Sequence, residues 1–304
     1  MLLVLVYAWE VTSRGAAVQV VDSFFDRAHD SIMSYVLYIL VGILVGLPLV
    51  RLFIFMASNR KAGLWGEVRK LCGGRTAVSL LRAYLTGILS EATAPALFPL
   101  GLGREEVPNG RGTPVLLVHG LYHNRSAWRF FRRSLAEEGF TSIRAITYGS
   151  WRGGFEDALT TVRRELRRTL DANPGRKVLL VGHSLGGVLL RVVASEDEFR
   201  ERVGALVTLG SPFGGSDLAH LGIGALARSL KPDGVACRAQ RAMKDVEAPK
   251  LAVYSPVDDF VFPLNHLNPG AGWQLHDCEP MSHVWLLYSP QVAGTVAAFL
   301  KHYR

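Results

Sequence analysis

The chain has 304 residues, 49% of them hydrophobic and 20% charged, with 31 glycines and 14 prolines. That balance excludes a disordered, collagen-like or coiled-coil protein and leaves ample material for a packed core. Three cysteines, Cys72, Cys237 and Cys278, are too few for a disulfide framework and show no metal-type spacing. The net charge of +8 suits nucleic acid or an anionic membrane surface. No zinc-finger spacing, RNA-binding sheet motif or basic zipper accompanies the charge, so no nucleic-acid partner is expected.

In chain order, the first strong signal is Ile32–Val50, nineteen residues without a charge, closed by Arg51. At ~1.5 Å per residue the run spans a ~30 Å hydrocarbon layer. It is too long and too uniformly apolar for one amphipathic face, which sets it apart from a buried core helix. It starts far from Met1, lacks a basic leader and precedes no small-x-small cleavage site, so it does not read as a cleaved signal peptide. The expected organisation is an N-terminal segment over 1–31, a transmembrane helix over 32–56, a basic helical linker region over 57–110, and a catalytic domain over 111–304. Arg60, Lys61, Arg69, Lys70 and Arg75 follow the span, whereas only Arg14 and Arg27 precede it. The positive-inside rule then places the catalytic domain in the cytoplasm of a single-pass protein, with the periplasmic side as the alternative. The stretch after Arg75 carries Val78, Leu81, Leu85, Ile88 and Leu89 at helical spacing. It suits a helix packed on the domain or one lying on the bilayer. Residues from Ala94-Pro95 to Pro108-Asn109-Gly110 read as a linker.

From Thr113 short apolar runs alternate with helical patterns. Strands are expected at Pro114–Val118, Ser142–Thr147, Val178–Val181, Val203–Leu209, Leu251–Tyr254 and Gln274-Leu275. Phe155, Ala158, Leu159, Val162, Leu166 and Leu170 share one helical face, and Gln291–His302 makes a final helix. The strands lack polar alternation, which argues a mostly parallel sheet of about six strands with helices on both faces, an α/β fold. In such sheets the site lies beyond the carboxyl ends of the strands.

The chemistry follows that rule. After Val178–Val181 stands Gly182-His183-Ser184-Leu185-Gly186-Gly187, a G-x-S-x-G turn between strand and helix. Its serine projects at a helix N-terminus, where N–H groups favour developing negative charge. A serine hydroxyl needs a base oriented by a carboxylate, in the chain order Ser, acid, His. Asp258 follows the fifth strand and His283 the sixth, with Asp259 as a rival acid and His276 and Asp277 as rivals in the last loop. Backbone N–H groups of Leu121 and Leu185 are the oxyanion-hole candidates. His119, Gly120, Gly182, His183 and Gly186 support the surrounding loops. The residues 217–249 and 262–272 are candidates to cover the site, with Gly222, Gly224, Phe262 and Leu267 as an apolar rim. No metal ligand set, dinucleotide fingerprint or Walker loop appears, so no cofactor is expected.

The segments VLLVHGL, GHSLGG, TLGSPFGGS, YSPVDDFV and SHVWLLYSPQV together resemble the α/β-hydrolases, and within them the small bacterial lipases. The resemblance covers residues 113–295. In that family a Y-S-x-x-D-x-x-V run carries the catalytic acid, which selects Asp258 over Asp259, and a run matching Ser282–Tyr288 carries the catalytic histidine. The chain departs from the pattern at Ser282 and at Phe213, where the family has His. The resemblance implies a serine esterase or lipase acting on carboxylic esters, with an acyl lipid as substrate given the membrane segment. Two other readings stand beside it: an acyltransferase or thioesterase using the same triad, and a non-catalytic membrane-tethered module. Nothing in the sequence specifies an oligomeric state.

Overall fold

A computed structural model describes residues 33–103 and 112–304. The segment 1–31 and Pro108-Asn109-Gly110 lie outside the described residues. The chain divides into two compact units, residues 1–47 and 48–304. The described part of the first unit is helical throughout, and its large apolar side chains, such as Leu37, Ile39 and Leu40, are exposed. Helix α1, Met33–Lys61, is long and apolar enough to cross a membrane by length and composition.

The second unit is built on a six-stranded, wholly parallel sheet. The strands are β1 Val115–Val118, β2 Ile143–Ile146, β3 Val178–His183, β4 Val203–Leu209, β5 Lys250–Tyr254 and β6 Gln274–Asp277, in the order β2-β1-β3-β4-β5-β6. All of β1 and β3 is buried, because helices cover both faces. The two-residue period of the strands sorts their side chains into two cores. Leu116, Val118 and Leu180 face α5, Phe155–Asp171, and α6, Leu185–Ala194. Val115, Leu117, Leu179 and Val181 face α4, Arg129–Glu137, and α9, Pro290–Lys301. The expected apolar face of α5 is buried in full: Phe155, Ala158, Leu159, Val162, Leu166 and Leu170. β6 is the polar edge, exposed at Gln274, Leu275 and Asp277.

Residues 57–103 are largely helical. They hold α2, Trp65–Leu71, and α3, Thr76–Leu97, followed by a 3-10 turn at Phe98–Gly101. α3 runs through Pro95 rather than stopping at Ala94. Proline falls in the last turn, and Asn124 Nδ2 holds the next turn by donating to Phe98 O at 2.8 Å. The inward face of α3 is small: Ser79, Ala83, Gly87 and Ser90. A Cβ on Gly87 would stand 3.1 Å from Pro48 Cβ, so the glycine sets how closely α3 approaches α1. Its outward face is apolar, with Val78, Leu81, Leu85 and Leu89 at least half exposed.

The C-terminal part of α1 belongs to the domain core. Leu52 and Phe55 are buried with Val257, Val261, Phe262, Leu264 and Leu267. Phe55 meets Phe262 edge-on, with centroids 6.2 Å apart. Ser58 Oγ donates to Asp217 Oδ2 at 2.6 Å, and Asn59 Oδ1 accepts from Leu264 N at 2.9 Å. One face of residues 51–59, carrying Arg51, Leu52, Phe55, Ser58 and Asn59, thus meets protein, while Phe53 on the other face stays exposed. Phe262 and Leu267 are likewise core residues under α1, not a movable rim. Two shorter helices, α7 Gly224–Arg228 and α8 Val235–Ala242, lie in the excursion between β4 and β5.

Candidate active site

The carboxyl ends of β1, β3, β4 and β5 and the loop after β6 bring the candidate residues together. Ser184 sits between β3 and α6 with φ 53° and ψ −126°. A non-glycine residue at positive φ costs about 1–3 kcal/mol and holds only where neighbours over-determine it. Here Ser184 N–H donates to Leu209 O at 2.8 Å, and Ser184 O accepts from Ser211 Oγ at 2.8 Å and Gly187 N at 3.0 Å. The elbow also needs close backbone approach. A Cβ on Gly186 would stand 2.1 Å from Val118 O, and one on Gly182 would stand 2.4 Å from Gly187 Cα. The two glycines of the motif are therefore where α6 presses on β1 and β3.

His283 and Asp258 form a direct pair. His283 Nδ1 lies 2.7 Å from Asp258 Oδ2, and both side chains are almost wholly buried. A carboxylate only accepts, so in such a pair the ring Nδ1–H is the donor and Nε2 stays free of this contact. Asp258 Oδ1 accepts from the N–H groups of Phe260 at 3.0 Å and Val261 at 2.8 Å, which satisfies the buried carboxylate. Asp259 plays a different part. Its Oδ1 accepts from the His283 backbone N–H at 2.8 Å, and its Oδ2 receives Arg51 Nε at 2.9 Å. Burial pushes the Asp259 carboxyl above its ordinary range, against the pull of the Arg51 guanidinium. His276 and Asp277 lie on the edge strand β6, and neither lines the cavity beside Ser184.

Ser184 and His283 both line an apolar cavity of about 140 Å³. Gly120, Leu121, Tyr122 and His123 form one wall, from the loop after β1. Leu218, Ala219, Gly222, Ala227 and Leu230 form the cover, from the stretch after β4. Tyr122 ties wall to cover: its hydroxyl accepts from Ile223 N at 2.9 Å and donates to Ile223 O, and its ring stacks on Trp151 with centroids 4.5 Å apart. Leu121 is half-buried at the cavity, and Leu185 opens α6 as the residue after Ser184.

The supporting histidines are neutral. His119 lies flat on Tyr148, with ring centroids 4.3 Å apart and planes 3° apart. Its Nδ1 donates to Gly120 O at 2.7 Å and its Nε2 accepts from Tyr148 N at 3.3 Å. Burial holds the imidazole down to about 3. His183 donates from Nε2 to His283 O at 3.1 Å, and burial keeps it well below its ordinary value. A neutral His183 puts no like charge beside His283, 4.6 Å away ring to ring.

The arrangement includes residues that the motifs did not single out. Ser211 holds the elbow carbonyl. Phe260 stacks on His283, with centroids 5.1 Å and planes 25° apart. Gly210, at φ +56°, leaves room for the pair, since a Cβ there would stand 2.9 Å from His283 Nδ1 and 3.0 Å from Asp258 Oδ2. Gly210 and Ser211 fall in the glycine-serine-proline run after β4 and Phe260 in the run that carries Asp258, but neither run marked them. Among the described residues, no group of three or more His, Cys, Asp or Glu is placed to hold a metal ion.

Comparison with known proteins agrees with this architecture. A family model described as alpha/beta hydrolase fold matches residues 113–226. A GPI inositol-deacylase of Candida albicans is 32% identical over 62 residues, which are 19% of this chain and 16% of the relative. The chain therefore matches a small part of that relative's length. Among solved structures, the mature form of Bacillus licheniformis lipase BlEst2 superposes with a TM-score of 0.50 at 18% identity, over 66% of this chain and 96% of that one. Aspergillus fumigatus lipase B superposes with a TM-score of 0.52 at 15% identity, over 66% of this chain and 55% of that one. Sheet order, nucleophile-elbow geometry and these likenesses together assign the chain the α/β-hydrolase fold.

Proposed function

We propose that the chain is a membrane-anchored serine hydrolase that cleaves carboxylic esters of acyl lipids. The observation that carries this reading is the His283–Asp258 pair at 2.7 Å, with His283 sharing an apolar cavity with the strained Ser184. His283 Nε2 takes the proton of Ser184 Oγ as the oxygen attacks the ester carbonyl carbon. The N–H groups of Leu121 and Leu185 hold the oxyanion, and Asp258 steadies the imidazolium. Collapse expels the alcohol, which takes the proton from His283. Water, deprotonated by His283, then attacks the acyl-enzyme and restores Ser184. The apolar cover of the cavity suits an acyl chain, and the deacylase named among the relatives also speaks for acyl-ester chemistry.

The membrane part of the reading rests on α1 and on the outward apolar face of α3. The basic residues from Arg60 to Arg75, after the apolar run, favour the cytoplasm for the catalytic domain, and protease digestion of spheroplasts tests this. Digestion of the domain from outside would place it in the periplasm.

Covalent labelling of the detergent-solubilised full chain with a fluorophosphonate tests the nucleophile. Labelling that disappears in Ser184→Ala is expected, and equal labelling of the variant would sink the reading. Product analysis with an added alcohol acceptor separates hydrolysis from acyl transfer.

A further inference from the structure

Arg51 is the first charge after the nineteen uncharged residues of Ile32–Val50, and it is 5% exposed. Its guanidinium makes three contacts on two segments, the loop after β5 and α3. Nε meets Asp259 Oδ2 at 2.9 Å, and Nη1 meets Glu91 Oε1 on α3 at 2.5 Å. The guanidinium carbon lies 4.4 Å from the centre of the Phe260 ring. Two of those partners touch His283 itself. Asp259 Oδ1 accepts the His283 backbone N–H at 2.8 Å, and the Phe260 ring stacks on the imidazole. The third partner, α3, holds the preceding residue: Ser282 N–H donates to Thr86 Oγ1 at 2.9 Å. One side chain from α1 thus braces the peptide and one face of the histidine.

The chemistry of arginine fits this placement. Its planar fork bonds two carboxylates in fixed directions while its face lies on an aromatic ring, which a lysine ammonium does not reproduce. A buried ion pair adds little net stability over apolar groups of the same volume, because both charges lose water. Its energetic weight here falls on direction.

We propose that Arg51 is a positioning residue for His283, so that the seat of α1 on the domain is part of how the active site is assembled. The proposal rests on the reading of His283 as the base of Ser184. It makes the end of a membrane helix, and not only the hydrolase domain, a determinant of the rate.

The test uses the full chain in detergent, comparing wild type with Arg51→Met and Arg51→Lys. The first readout separates the maximal rate of fluorophosphonate labelling from the probe's apparent affinity. Arg51→Met is expected to lower the maximal rate about ten- to a hundredfold, as small misplacements of catalytic groups do, with affinity little changed. Arg51→Lys should recover part of the loss. The second readout is the ring carbon–hydrogen resonance of His283 in ¹³C-histidine protein, assigned by its loss in His283→Gln. It should move in Arg51→Met while that of the exposed His302 stays in place. A folded Arg51→Met with wild-type labelling rate and an unmoved His283 resonance overturns the proposal. If Arg51→Met does not fold, Glu91→Gln removes one anchor of the guanidinium from a part-exposed position and should shift both readouts the same way. An unmoved rate and resonance there overturn it equally. Failure of wild type to label would count against the esterase reading, while the resonance would still decide the positioning role.

Discussion

Asp258 and Asp259 are neighbours in sequence, yet they meet His283 at different atoms. Asp258 takes the ring Nδ1–H, and Asp259 takes the backbone N–H. Asp258→Asn should therefore lower ester turnover by about 10⁴-fold, since an amide no longer fixes the tautomer or balances the imidazolium. Asp259→Asn keeps an oxygen for the peptide N–H but removes one of the two carboxylates that face buried Arg51, leaving Glu91. It should lower stability by about 1–3 kcal/mol and cost less rate than Asp258→Asn, so paired measurements of melting and turnover separate the two acids. The buried histidines set a pH dependence of stability. His119 is held down to about 3 and His123 to about 4, both by burial, against an ordinary value of 6.5. The unfolded chain takes these protons near 6.5 and the folded chain does not. Above that value both states are neutral and nothing is lost. As pH falls from about 6.5 towards 4, each histidine removes about 1.4 kcal/mol per unit. Urea midpoints measured in detergent should fall over that window, and His119→Gln should make the slope shallower.

Among the elements, strands and amphipathic helices were legible because their partners repeat at fixed periods. β4 lies where the apolar run placed it, Val203–Leu209, and α5 buries the face that the 3.6-residue period marks. α1 was legible only in part. Its apolar run looks uniform, but most of residues 33–47 stay exposed while Leu52 and Phe55 enter a protein core. Hydropathy does not separate a side chain that faces lipid from one that faces Val261 and Phe262. Phe55→Ala should accordingly cost about 3–5 kcal/mol by leaving a cavity. Leu40→Ala, at an exposed position, should leave the melting temperature in detergent unchanged. Equal effects of the two changes would argue that α1 does not dock as the structure has it. α3 shows the converse case. Its fully buried residues, Ser79, Ala83, Gly87 and Ser90, are small, Leu80 and Tyr84 pack at the flank of the core, and Val78, Leu81, Leu85 and Leu89 stay exposed, so hydrophobic spacing alone did not mark the buried face.

For the whole molecule, the compact unit starting at Pro48 sets the boundary that matters. A chain begun at Pro48 keeps Arg51, Phe55, Ser58 and Asn59 and should retain fluorophosphonate labelling in detergent. A chain begun at Ala62 loses all four contacts and should lose labelling and melt lower. Equal labelling of the two truncations would mean that the docked end of α1 is dispensable for the site.

By itself the sequence determined the alternation of strand and helix, the G-x-S-x-G turn, the order of serine, acid and histidine, and an apolar run long enough to cross a bilayer. These are local properties, written in period, spacing and residue type. The tertiary structure decided which atom of His283 each aspartate meets, that Gly210 must be bare to admit the pair, and that Arg51 reaches Asp259, 208 positions away. Such contacts join segments remote in the chain, and no periodicity records them. Folding alone brings them within hydrogen-bond reach.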